Sequence, residues 1–199
     1  MFGWSGGRSV AMSAVFGGFY GKIAARGDFV RAGLPRSFID PWDSWMQRMV
    51  AGSRDAMGEQ WLPCWLEAPI WRFALGPDIC GPDPVRGVWM PSVDSVGRYF
   101  PLVFALVGPE GTDDRADDSV DPWLAAAEQV GLDALEQGLL PDAMAAQLPP
   151  APAALGQRAD DRDQWHTAGA PRVPATRFFR HCLPDTQEFL AMLDAGSAA

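Results

Sequence analysis

Apolar positions recur along this chain with two different periods, and those periods define its elements. Phe16 to Lys22 is aromatic and glycine-rich and reads as a first strand. Ala24 to Pro35 reads as a loop punctuated by Gly27, Gly33 and Pro35. Trp42, Trp45, Met46, Met49 and Val50 then fall at offsets 0, 3, 4, 7 and 8, one apolar face of a 3.6-residue helix. Asp40 as N-cap, Pro41 as first helical residue and Asp43 in the first turn predict a helix that starts there and ends near Gly58. A short helix over Glu59–Leu66 carries Trp61, Leu62 and Trp65. The spacing of Trp42 and Trp45 marks core packing, whereas Trp61 and Trp65 are expected to be freer to serve a partner surface.

Three strand-like runs follow: Ile70 to Leu75, Val85 to Met90, and Tyr99 to Val107. Asp94-Ser95-Val96-Gly97 between the last two looks like a hairpin loop, which favours an antiparallel meander over a doubly wound parallel sheet. Residues 108–121 form an acidic loop. A second helix is expected to open at Asp121-Pro122 and to run to about Leu140. Leu148 to Gly156 reads as a Pro/Ala linker before a C-terminal subregion. That subregion has strands near Gln164–Thr167 and Thr176–Cys182 and a helix over Asp185–Asp194. Together these elements predict an α/β fold, with helices packed on a mixed, largely antiparallel sheet in an αβα-type sandwich. Residues 1–15 read as an N-terminal tail and 16–199 as a single domain, with Met12 an alternative start.

Charge narrows the partners. Sixteen Lys and Arg against 25 Asp and Glu leave a formal charge of −9, a field that repels nucleic acid and anionic membrane surfaces. No run of about 18 apolar residues is present, so no membrane-inserted segment is expected. Cys64, Cys80 and Cys182 are odd in number and lack CxxC spacing, which fits free thiols in a reducing, cytoplasmic setting. With His166 and His181 they supply zinc-ligand types without zinc-ligand spacing.

Motifs that suggest catalysis or ligand binding fail on detail. Gly17-Gly-Phe-Tyr-Gly21-Lys22 is one residue short of a phosphate loop and has Ile23 where the magnesium hydroxyl belongs. Arg26-Gly27-Asp28 spells an adhesion tripeptide but reads as a tight turn. Counting from Asp113, a calcium loop would need oxygen at position 3 and glycine at position 6, and the chain has Arg115 and Asp118. Ser92 lies outside a GxSxG elbow, and neighbours His181 and Cys182 would point to opposite faces of a strand.

Two segments are more specific. Gly18 to Pro35, continuing into Phe38-Ile-Asp-Pro-Trp-Asp43, and Gly87 to Leu102 resemble the signature segments of the TagF family, also called ImpM, associated with type VI secretion. Trp71 to Leu75, Trp165-His-Thr and Leu183 to Phe189 fit the same family, so the resemblance spans about residues 16–193. Where the family's late motif reads Trp-Trp-Thr, this chain has Trp165-His166-Thr167. The resemblance implies a non-enzymatic, post-translational negative regulator of type VI secretion. It would act by protein binding to a forkhead-associated scaffold of the threonine-phosphorylation pathway, or to another component of the apparatus. It implies no catalytic residues and no cofactor, and the length leaves no room for the phosphatase fused to some members. A structural adaptor of the apparatus, and a small hydrolase or phosphatase with an unrecognised site, are the alternatives.

The partner-binding candidates are Lys22, Arg26, Asp28, Phe29, Arg31, Asp94, Arg98 and Tyr99, most of them in glycine-bearing loops at strand ends. The two loops are expected to meet. Their charges either face a partner or pair with one another and pin the loops.

Overall fold

The structure, a computed structural model, describes residues 14–111, 117–157 and 162–198. The N-terminal tail up to residue 13 and Asp113 to Arg115 of the acidic loop lie outside the described residues. Seven strands among the described residues form one sheet: β1 (Phe16–Gly21), β2 (Val30–Ala32), β3 (Trp71–Leu75), β4 (Val85–Met90), β5 (Leu102–Val107), β6 (Asp163–Thr167) and β7 (Thr176–Arg180). Their order is β2-β1-β5-β4-β3-β6-β7, and each neighbouring pair is antiparallel. A parallel bridge joins Glu110 to Leu155 outside the strands. The expected meander is β3-β4-β5. The chain then crosses to β6 and β7 on one side, while β1 and β2 extend the other.

Period-two alternation sends the side chains of each strand to two cores. Trp71, Phe73, Leu75, Trp89, Val103 and Trp165 face one layer, made by α1 (Arg36–Met57), α2 (Trp61–Leu66) and α5 (Thr186–Leu193). Val88, Met90, Leu102, Phe104 and Leu106 face the other, made by α3 (Asp117–Gln137) and α4 (Pro141–Gln147). All six residues of β4 and all six of β5 are buried, because helices cover both faces of the sheet centre. This is the αβα sandwich expected from the pattern.

Both proline-opened helices begin earlier than expected. α1 starts at Arg36 and α3 at Asp117, so Pro41 and Pro122 lie inside their helices. In α1 the reason is burial. Phe38 and Ile39 belong to the same buried stripe as Trp42, Trp45, Met46, Met49 and Val50, so the apolar face gains a turn that outweighs the lost Pro41 donor. Pro35, in extended backbone, occupies the N-cap, and Asp40 instead pairs with Arg36 on the exposed face. α3 stops at Gln137 rather than Leu140. Gly138 follows with φ of 67°, a left-handed helix exit suited to glycine, and Pro141 opens the separate helix α4. The region between Ala24 and Pro35 is not all loop, since β2 pairs with β1 through Phe19–Ala32, Tyr20–Arg31 and Gly21–Val30. Residues 148–157 pack on the α3 side. Leu155 is fully buried, Trp123 donates to the Pro149 carbonyl at 3.0 Å, and Arg86 donates to the Gly156 carbonyl at 2.6 Å.

One face-to-face contact fixes the sheet centre. Gly87 of β4 lies under the Phe73 ring, and a Cβ there would stand 2.3 Å from Phe73 Cζ and 2.8 Å from the Phe104 carbonyl oxygen. Gly87→Ala is therefore expected to destabilise the fold by about 1–3 kcal/mol through overpacking, read as a lower midpoint in chemical denaturation.

Candidate functional site in the paired loops beyond β1 and β4

Two loops meet at one end of the sheet, as expected. Gly21 ends β1 at φ of 144°, and a Cβ there would lie 2.1 Å from the Pro101 carbonyl oxygen, so only glycine lets β1 approach the start of β5 this closely. That approach delivers Lys22 to the turn after Met90. The Lys22 carbonyl accepts from Ser92 Oγ at 2.7 Å, and the Lys22 ammonium donates to Asp94 Oδ2. Asp94 Oδ2 also accepts from Arg98 Nε at 2.7 Å, and Oδ1 accepts the Val96 and Arg98 amides at 3.0 and 2.8 Å. The Asp94 side chain is fully buried and that of Lys22 nearly so. Burial alone would raise the Asp94 pKa. The hydrogen bonds from Lys22, from Arg98 backbone and side chain and from the Val96 amide overcome it, and hold the carboxyl well below the usual carboxylate range.

The loops are also joined through backbone. Ser95 N donates to the Arg26 carbonyl at 3.1 Å, and the Arg98 guanidinium donates to the Gly27 carbonyl. Lys22, Asp94 and Arg98 thus pair with one another, and their charges pin the loops. Ser92 is a clamp in this arrangement, a role that its place outside any motif concealed.

The same pinning displays the remaining candidates. Arg26, Asp28 and Arg31 are exposed and make no side-chain hydrogen bond or ion pair among the described residues. Phe29 is 44% exposed, yet it is held on three sides. It stacks on Tyr20 at 5.3 Å, meets Phe100 edge-on at 4.9 Å, and lies 4.8 Å from the Lys22 ammonium. Tyr20 is anchored in turn by its hydroxyl, which donates to Asp43 Oδ1 at 2.7 Å. Burial, then that bond to the Asp43 carboxylate, pushes the Tyr20 phenol above its ordinary range. Arg31 is opposite Tyr20 in the β1–β2 register.

Tyr99 is half-buried. It packs edge-on to Trp61 at 5.7 Å, beneath the Arg54 guanidinium. Trp61 and Trp65 are themselves buried, contrary to the expectation that they were free for a partner. Trp61 donates to Ser53 Oγ at 2.9 Å and Trp65 to the Ser92 carbonyl at 3.2 Å, so the short helix docks its indoles inward.

The other candidate chemistries occupy ordinary positions. The glycine-rich stretch before Lys22 is strand β1, paired along its length with β5. Cys64 and Cys80 are buried, and burial pushes the Cys80 thiol up to about 12. His181 and exposed Cys182 lie on the segment after β7. Half-buried His166 has its pKa lowered by burial and by neighbouring Arg177 and Arg72. Among the described residues no group of three or more His, Cys, Asp and Glu side chains is placed to hold a metal ion, and no helix is long and apolar enough to cross a membrane.

No curated protein sequence matches the chain. Among solved structures, the crystal structure of PA0076 from Pseudomonas aeruginosa PAO1 at 2.05 Å resolution matches with a TM-score of 0.77 and 33% identity, covering 92% of this chain and 94% of that one. The model of the TagF N-terminal domain, type VI secretion system-associated, matches residues 18–150, more than half of the chain and both paired loops. The chain belongs to the TagF N-terminal domain family, associated with the type VI secretion system.

Proposed function

We propose that this chain is a negative regulator of type VI secretion that acts after translation by occupying a partner protein, without making or breaking a bond. The observation that carries the proposal is the division of labour in the paired loops. Lys22, Asp94 and Arg98 satisfy one another, while Arg26, Asp28, Phe29 and Arg31 stand exposed on the segment they immobilise. A rigid loop bearing an exposed aromatic ring between arginines has the composition of a binding hot spot, and its ordering cost is met before the partner arrives. The partner we assign is the forkhead-associated scaffold of the threonine-phosphorylation pathway, an assignment that rests on the family resemblance. Three free thiols suit a reducing compartment, so this reading places the chain in the cytoplasm.

Calorimetric titration of purified scaffold with wild-type chain and with Arg26→Ala/Phe29→Ala tests the proposal. Binding of the wild type is expected, with a loss of about 2 kcal/mol or more in the double variant at a temperature where circular dichroism shows it still folded, since losing the Phe29 contacts with Tyr20 and Phe100 lowers its melting temperature. Unaltered affinity in the double variant would remove the loop surface from the account.

A further inference from the structure

We propose that the groove between β7 and α5 is a strand-addition site that accepts an extended, acidic segment of a partner protein with one apolar side chain seated beneath it. This site is separate from the paired loops. The strand order puts β2 at one edge of the sheet and β7 at the other.

Three observations carry the inference. First, β7 is paired with β6 on one side, and among the described residues no strand covers the other. An uncovered strand presents a row of backbone donors and acceptors to any extended chain, and this one contains neither proline nor a glycine to interrupt the row. Second, a cavity of about 260 Å³ runs beside that edge, with Thr176, Phe178 and Arg180 of β7 on one wall and Glu188, Ala191 and Met192 of α5 on the other. Trp71 also lines it, held edge-on to Phe178 at 5.7 Å and donating to the Met192 carbonyl at 3.2 Å. The three β7 residues alternate along the strand. An added strand would therefore place every second side chain over the same cavity, which is how an edge strand flanked by a helix reads a peptide.

The third observation selects the occupant. In a molecule of net charge −9, this edge carries exposed Arg177 and Arg180. Arg180 meets Glu188 across the groove, while Arg177 makes no side-chain hydrogen bond or ion pair among the described residues. A second copy adding β7 to β7 would place two more arginines on this edge and no acidic group, and like charges gathered across neighbouring strands are destabilising. An acidic strand turns the same contacts into attraction.

The test uses the whole chain and a fluorescein-labelled probe, Glu-Val-Glu-Phe-Glu-Val-Glu, with Lys-Val-Lys-Phe-Lys-Val-Lys as counterpart. The expected result is saturable anisotropy with the glutamate probe, none with the lysine probe, and slowed exchange of the Thr176 to Arg180 amides. Ala191→Trp, which fills the cavity, should raise the Kd at least about tenfold, and Arg177→Glu about fivefold. Arg177 is exposed on the sheet edge, so that variant keeps the test valid even where Ala191→Trp melts. No binding, binding indifferent to Arg177→Glu, or β7 amides that slow with protein concentration and no probe would overturn the proposal, the last by assigning the edge to a second copy.

Discussion

Asp94→Ala should destabilise this fold by about 3–5 kcal/mol, because it leaves the Lys22 ammonium buried without its counter-charge. One carboxylate holds four donors: Lys22 Nζ, Arg98 Nε and the amides of Val96 and Arg98. The exposed Arg98 guanidinium loses little when its partner goes, since water replaces it. The buried lysine carries most of the cost. Asp94→Asn should be milder, as its side-chain oxygen still accepts the two amides. Adding Lys22→Met to Asp94→Asn should recover stability, since no unpaired charge then remains.

The pH dependence follows from the direction of the Asp94 shift. Its folded pKa lies below the unfolded value, so its contribution is complete above about pH 4 and drains away as pH falls further toward the folded value. Denaturation midpoints of wild type and Asp94→Asn should therefore differ at neutral pH and converge on acidification. A gap that stayed constant with pH would mean that the carboxylate charge is not what pins the loops.

Trp42→Ala should have a comparable effect, about 3–5 kcal/mol, by opening a cavity at the centre of the aromatic layer. Trp42 is fully buried. It stacks on Phe73 at 4.9 Å and on Phe38 at 5.6 Å, with Trp45 edge-on at 5.0 Å. It therefore locks α1 to β3. Its indole N–H, however, has no hydrogen-bond partner among the described residues. Trp42→Phe removes that orphan donor along with part of the volume, so its cost should be far smaller than that of the alanine variant. Chemical denaturation of the pair checks this, and equal losses would show that the ring volume retained by phenylalanine is not what Trp42 contributes.

The layers were legible because each period in the sequence reports a face. The Trp42 to Val50 stripe is the buried face of α1. Asp185 and Glu188 form a reciprocal cap on α5, with the Glu188 amide 2.9 Å from Asp185 Oδ1 and the Asp185 amide 3.1 Å from Glu188 Oε2. Helix starts were misplaced because proline is common at the first helical position, and that local preference cannot see that Phe38 and Ile39 also have a core to face. β2 is three residues long, too short to display a period, and its pairing is a tertiary fact. The meeting of the two loops could be anticipated from charged residues at strand ends. That Lys22 and Asp94 would be buried against each other could not, since nothing local distinguishes a pairing lysine from a partner-facing one. Trp61 and Trp65 read as freer for a partner because a helix this short shows no clear buried stripe, and the Ser92 carbonyl that receives Trp65 lies 27 residues away in sequence.

Hydrogen exchange of the chain, alone and saturated with the purified forkhead-associated scaffold, decides whether the paired loops are the binding surface. Slowed amides should cluster in residues 24–31 and 95–98. A complex that forms without protecting those amides, or steady release of phosphate from a phosphopeptide by the chain alone, would contradict the proposed function.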